Sequence, residues 1–203
     1  MARTAGSNGE ATQSAIRDAA ATLMARYGYE AVSMRQLAAE VGVQAAALYR
    51  YFPTKEELLF TLMHEHMEGL LRSWAEARPD GRSPAARLAA FVENHIRFHV
   101  ARRHSTHVSN MELRSLSPAR LTAILKLRSQ YEKELRQILR EGAEAGIFHI
   151  DDVPLTAMAI IQMITGVIVW FRPDERLSVA QVAATYHTMT MRLVGAATVA
   201  EAA

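Results

Sequence analysis

The chain has no cysteine. That absence removes disulfide staples, thiol nucleophiles, thiolate zinc sites and iron–sulfur clusters together, and it suits a reducing compartment. Glycine (10) and proline (6) are sparse among 203 residues and aromatic residues make up 7%, so the chain is neither fibrous nor of low complexity. Neither sign of charge dominates: 23 Lys and Arg against 21 Asp and Glu leave +2 with His neutral. A nucleic-acid partner must then be met by a local basic patch and not by the charge of the whole protein. Runs alternating in Val, Ile and Thr are missing, which argues against a sheet. The sequence also lacks a Gly-rich phosphate loop, a nucleophile elbow and a metal triad, and so carries no enzyme or cofactor signature.

What is present is half hydrophobic and 22% charged, enough apolar material for a core, and it recurs with the helical period nearly throughout. The expectation is an all-α protein of about nine helices. Residues 1–15 hold one Arg and no apolar run of signal-peptide length, and read as a mobile polar arm whose Arg3 either enters a minor groove or is a bystander. Ile16, Ala20, Leu23 and Tyr27 mark a first helix that stops at Gly28. Ser33 is a natural N-cap for a short helix through Val41, Gly42 turns the chain, and a third short helix covers 44–51. Pro53 breaks the pattern, and Thr54 to Glu57 have the form of a capping box heading a helix over 55–77. Longer helices follow over 84–104, 118–144, 153–171 and 178–195. The compositional break near 54 divides the chain into 1–54 and 55–203.

The stretch from Val153 to Phe171 has no charge and reaches transmembrane length. Thr156, Gln162 and Thr165 inside it, and the absence of a flanking Lys/Arg cluster, favour a helix buried between subunits over a membrane span. With no membrane segment or signal, the expected location is the cytoplasm.

Between Met34 and Leu48 the spacing of Ala38, Gly42 and Leu48 has a physical reason. Two short helices packed steeply need a small residue inside the first, a glycine that tolerates positive φ in the turn, and a buried aliphatic inside the second. With Leu48-Tyr49, Tyr51-Phe52 and Lys55-Glu56-Glu57-Leu58 following, the stretch from Ile16 to Leu59 resembles the TetR family of bacterial transcriptional repressors. The resemblance implies a helix-turn-helix DNA-binding domain and a larger helical half that binds ligand and dimerises. It implies DNA contacts from Ser33, Arg35, Gln44, Ala45, Ala46, Ala47, Tyr49, Arg50 and Lys55. The alanines depart from the Ser, Gly and Thr common there, leaving Gln44 to pair with adenine while methyl groups meet thymine. Arg35 is assigned to a guanine. Tyr49 and Lys55 match phosphate-contacting positions, Tyr49 with core packing as its alternative. Arg50 is either a phosphate contact or half of an internal ion pair.

The resemblance further implies a homodimer formed through helices 153–171 and 178–195, on a palindromic DNA operator with reading helices about 34–36 Å apart. Candidate ligand-lining residues are Met63, Met67, Trp74, Phe91, His95, Phe98, His99, Arg128, Tyr131, Met163 and Trp170, a soft apolar set suited to a small hydrophobic ligand. The segment Asn110 to Pro118, with Trp170 to Pro173 and Leu177-Ser178, looks like the subset of TetR-type regulators that sense acyl-CoA thioesters. Arg97, Arg102, Arg103, Arg114 and Arg128 are candidate cations for the phosphates of such a ligand. A free hydrophobic compound or drug is the alternative effector. His95 and His99, four apart on one helix, leave a metal-responsive reading open, though no Cys or nearby Asp completes a shell.

Overall fold

In the computed structural model, residues 5–173 and 175–196 are described, with side chains from residue 9 onward; Arg3 lies outside them. Every regular element among these residues is helical. The first helix, α1 (Ala5–Tyr27), begins well before Ile16, so most of what the sequence suggested was a mobile arm is the first turns of a helix. Ala11, Gln13 and Ala15 are good helix formers with no proline among them, and a helix once nucleated propagates through such residues. Gly28 stops it at φ 83°, a left-handed conformation that side chains with a Cβ rarely adopt.

Ser33 caps α2 (Met34–Val41) with a full capping box: its Oγ accepts the Gln36 amide, and the Gln36 side chain accepts the Ser33 amide. Gly42 ends α2 at φ 73°, and the Val43 amide reaches back to the Ala38 carbonyl at 2.9 Å. That closed turn aims α3 (Ala45–Tyr51) away from α2 while Leu37, Ala38 and Leu48 pack inside. Thr54 Oγ1 then accepts the Glu57 amide at 3.0 Å and opens α4 (Lys55–Ala77).

The expected helix over 84–104 is two. α5 (Pro84–Ala101) ends at Arg102, whose backbone leaves the helical region at φ −123°, and α6 (Arg103–Met111) follows. A 3-10 turn, Leu113–Ser115, leads into α7 (Pro118–Glu144). α8 (Val153–Thr165) and α9 (Val167–Trp170) are divided at Gly166, and α10 (Val179–Leu193) carries a second capping box, from Ser178 and Gln181.

The helices form two compact units, residues 1–67 with 103–125 and residues 68–102 with 126–203. In the first, α1 packs on α2 and α6, α2 packs on α3, and Ile16, Met24, Leu37, Leu48, Leu58, Val108 and Ile124 are buried. Each such side chain contributes about 1.5–3 kcal/mol relative to leaving it in water. In the second, α5 packs on α8, α9 and α10 over Trp74, Leu88, Phe91, Ile96, Leu135, Ile138, Ile160 and Ile164. The segment 103–125, which sequence reasoning placed in the larger half, is therefore packed with the helix-turn-helix.

Candidate nucleic-acid interface and effector site

The exposed end of the helix-turn-helix is built from the caps. Gln44 is the N-cap of α3, and its side chain makes no capping bond, so its amide group is not spent on the helix end. Gln44, Ala46, Tyr49 and Arg50 are exposed, Ala45 and Ala47 half-buried. Across the turn, Ser33 and Arg35 are exposed at the start of α2, although the Ser33 hydroxyl is engaged with Gln36 Oε1 at 2.9 Å. Tyr49, 47% exposed, is presented outward, whereas Tyr51 is half-buried and Phe52 fully so. The surface offered is one amide, two guanidinium groups, one phenol and three methyls, with α3's amide-bearing end among them. Such a set can accept phosphates and read base edges.

Lys55 has partners inside the protein. Its Nζ donates to the Tyr29 carbonyl at 3.1 Å and stands 4.1 Å above the centre of the Tyr29 ring. Tyr29 in turn gives its amide to Glu112 Oε1 at 3.0 Å. At the head of α4, Glu56 Oε1 accepts the Ser117 amide at 2.8 Å, and Arg120 lies 3.6 Å from Glu56 and 3.7 Å from Glu57. The Ser117 hydrogen bonds hold the Glu56 carboxyl below its ordinary range, and Arg120 adds to the effect. Burial, with the nearby carboxylates, pushes the Tyr29 phenol up. Tyr29 and Arg120 were not singled out from the sequence, and Glu56 was named only as part of the Lys55 to Leu58 motif. The 110–118 stretch was singled out, but without a regular element to place it.

The second unit holds a different cluster, also made of predicted residues. Trp74, Phe91, His95, Phe98, His99 and Tyr131 are all buried. Trp74 meets Phe91 edge-on at 5.0 Å, Phe91 stacks on Tyr131 at 4.9 Å, and the His95 and His99 rings stack at 3.9 Å. Trp74 Nε1 donates to Glu134 Oε2, which also receives Arg78. His95 is hydrogen-bonded through Nδ1 to Tyr131 Oη at 3.1 Å and through Nε2 to Thr165 Oγ1 at 2.9 Å. In its neutral form an imidazole has one N–H and one lone pair, so it donates to one hydroxyl and accepts from the other. His99 Nδ1 donates to the His95 carbonyl at 2.8 Å.

Burial drops His99 to a pKa of about 4, with Arg128 and Arg102 acting in the same direction. Burial likewise raises the Tyr131 phenol and lowers Arg128. The cluster is a buried aromatic layer with a chain of hydroxyl and imidazole groups along it.

The histidines' shared ring stack and hydroxyl partners leave a poor geometry for a metal shell. No group of three or more His, Cys, Asp or Glu suited to a metal occurs among the described residues. Met63 and Met67 are buried on α4 in the first unit. Met163 is half-buried on α8. Trp170 is 45% exposed and stacks on Tyr186 at 6.4 Å, away from the histidine cluster's ring contacts. Among the candidate phosphate cations, Arg97 pairs with Glu93 on its own helix and Arg102 covers the Phe98 ring at 4.2 Å.

The stretch Val153–Trp170 is long and apolar enough to cross a membrane, with mean hydropathy 1.9, yet only 28% of it is buried within the chain. Leu155, Met158, Val169, Met189 and Leu193 are exposed on α8, α9 and α10.

Both halves of this arrangement have counterparts in known proteins. Residues 16–62 match the model for bacterial regulatory proteins of the tetR family, and residues 81–194 match the tetracyclin repressor-like C-terminal domain. The chain is 25% identical over 190 residues to the HTH-type transcriptional repressor KstR2 of Rhodococcus jostii, covering 93% of this chain and 92% of that one. A tetR-family bacterial regulatory protein from Rhodococcus RHA1 superposes with a TM-score of 0.88 at 32% identity, covering 92% and 98% of the two chains. AibR, solved in complex with isovaleryl coenzyme A and operator DNA, superposes with a TM-score of 0.78 at 26% identity, covering 92% of this chain and 100% of AibR. With a family model spanning more than half its length and one-third identity to a solved member, the chain belongs to the tetR family of bacterial regulatory proteins, and is a transcriptional regulator and not an enzyme.

Proposed function

We propose that the protein is a cytoplasmic repressor that binds a palindromic operator as a homodimer and releases it when an acyl-CoA thioester binds the larger helical half. Residues 1–54 read the DNA in this scheme, through Arg35, Gln44, Ala45, Ala46, Ala47, Tyr49 and Arg50, with Ser33 and Lys55 at the ends of the reading module. Residues 55–203 bind effector and dimerise, through α8, α9 and α10. The observation that carries the effector class is the similarity to AibR along nearly the whole chain, since AibR was solved with both an acyl-CoA and operator DNA.

The residues of the second unit fit that class. Trp74, Phe91 and Phe98 give an acyl chain an apolar wall, while His95, Tyr131 and Thr165 would exchange one of their mutual hydrogen bonds for one to a thioester carbonyl. Arg128 contributes a cation for a phosphate or carboxylate. Met163, half-buried on α8 of the same unit, extends the proposed lining. Coupling need not be large: a hundredfold loss of operator affinity corresponds to about 2.7 kcal/mol.

Fluorescence anisotropy of labelled DNA from upstream of the protein's own gene, titrated with protein and then with acyl-CoA thioesters and their free acids, tests the scheme. Release by one thioester class but not its acid supports it. Release by the free acid alone moves the effector to an uncoupled hydrophobic compound. Binding that no thioester or acid disturbs removes the acyl-CoA assignment and keeps the DNA-binding one.

A further inference from the structure

The helix-turn-helix is gripped at both ends by a segment that does not belong to it. Residues 30–54 contain α2 and α3; Tyr29 stands just before them and Lys55 and Glu56 just after. Lys55 ties the two ends together through the Tyr29 carbonyl. The segment from Glu112 to Arg120, which runs from the end of α6 into the first turn of α7, then binds each end separately. Glu112 accepts the Tyr29 amide at one, and Glu56 accepts the Ser117 amide at the other, with Arg120 bridging Glu56 and Glu57. Glu112 is itself held by the Ser115 hydroxyl, which donates to its other oxygen at 3.3 Å. Gly28, at φ 83°, lets the chain bring Tyr29 to that carboxylate, and even a Cβ at Gly28 would lie 3.7 Å from Glu112 Oε1.

We propose that Glu112 and Glu56 are positioning residues for operator reading: through them the 112–120 segment fixes the α1–α2 turn and the head of α4, and with them the angle at which α3 is presented. The inference rests on the operator-binding reading above. Neither carboxylate is among the residues proposed to read DNA, and each is engaged by a backbone amide of the protein itself. Glu112 acts on Tyr29 by accepting its amide, and Glu56 acts on Ser117 in the same way while also pairing with Arg120.

The two roles predict opposite signs. An acidic group that acts only through its field repels DNA, so removing it strengthens binding to any duplex. An acid that positions the reading helix weakens binding to the operator alone when its acceptor is lost. The test uses the full-length protein, an operator recovered by selection from random duplexes, and a scrambled duplex of equal length, followed by anisotropy across a salt series. Glu112→Gln keeps a carbonyl acceptor for the Tyr29 amide and should retain operator affinity. Glu112→Met keeps the bulk but strands that amide. It should lose up to roughly tenfold on the operator, the upper scale for an unpaired amide that is only part-buried, with scrambled-duplex affinity unchanged or raised and the salt slope unaltered. Glu56→Met tests the other grip with the same expected sign, and decides the matter if Glu112→Met does not fold.

Operator affinity equal to wild type in both Met variants overturns the positioning role. So does an equal loss in Glu112→Gln and Glu112→Met, or a parallel loss on both duplexes. A wild-type protein that recovers no preferred duplex overturns the operator-binding reading itself, a result distinct from any of these.

Discussion

Gln44 is the one polar side chain among the first four residues at the head of the reading helix, and its side chain is left uncommitted by the cap. A bidentate amide on adenine is worth about 1–3 kcal/mol of discrimination. Gln44→Ala should therefore lower the ratio of operator to scrambled affinity by roughly 5- to 150-fold while leaving scrambled affinity almost unchanged. Competition binding with single-base operator variants reads this directly; an unaltered preference at every base would remove Gln44 from the reading set. In the other unit, His99 makes stability depend on pH. Its pKa falls from 6.5 to about 4 on burial, so between those values the unfolded chain holds a proton the folded one refuses. Stability is then full above pH 6.5 and declines as pH falls through the window, by at most about 3 kcal/mol. Denaturant unfolding between pH 7 and 5, above the range where the lowered Glu56 and Glu141 titrate, should show this slope. In His99→Leu the slope should flatten by close to one proton's worth, whatever the variant's absolute stability.

Helix ends were legible in the sequence because a few residues decide them. Ser33, Gly42 and Thr54 act as short-range signals, and each is where the backbone bonds place it. What escaped was α6 with its following turn, residues 103–115. Its polar run Arg-His-Ser-Thr-His hides a buried face of Thr106, Val108 and Ser109, and hydrophobic periodicity cannot register a face that is half hydroxyl. Glu112 was invisible for the same reason, since nothing local tells an acid to reach an amide 83 residues away. Gly142 shows how far packing overrides propensity. It lies inside α7, where alanine is ordinarily favoured by about 1 kcal/mol. Here an added Cβ would stand 2.0 Å from the Phe148 ring, a buried side chain with little room to retreat. Gly142→Ala should accordingly destabilise by about 1–3 kcal/mol, seen as a lower denaturation midpoint, and a stabilised variant would show that α7 and Phe148 shift apart freely.

At the scale of the whole molecule, the all-helical fold and the placing of His95 and His99 on one helix face were accessible from spacing, but the packing of distant segments was not. Composition changes near residue 54, whereas packing gathers 103–125 with the first 67 residues, because contacts between distant segments leave no compositional mark. The exposed apolar face of α8, α9 and α10 raises the last question of this scale. Leu155 is 59% exposed, Met158 46%, Met189 47% and Leu193 49%, a concentration that a soluble chain covers by association. If a second copy covers it, Met158→Glu with Met189→Glu buries charge at each symmetry-related contact, at a penalty no local ion pair offsets. Sedimentation should then show a monomer in place of a dimer. Operator affinity should fall by at least about a hundredfold, since two half-sites no longer bind as one tethered pair, while circular dichroism and affinity for a single half-site stay close to wild type. A double variant that remains dimeric would place the interface elsewhere. Wild-type protein that instead partitions onto lipid vesicles through this face would replace the second copy with a membrane.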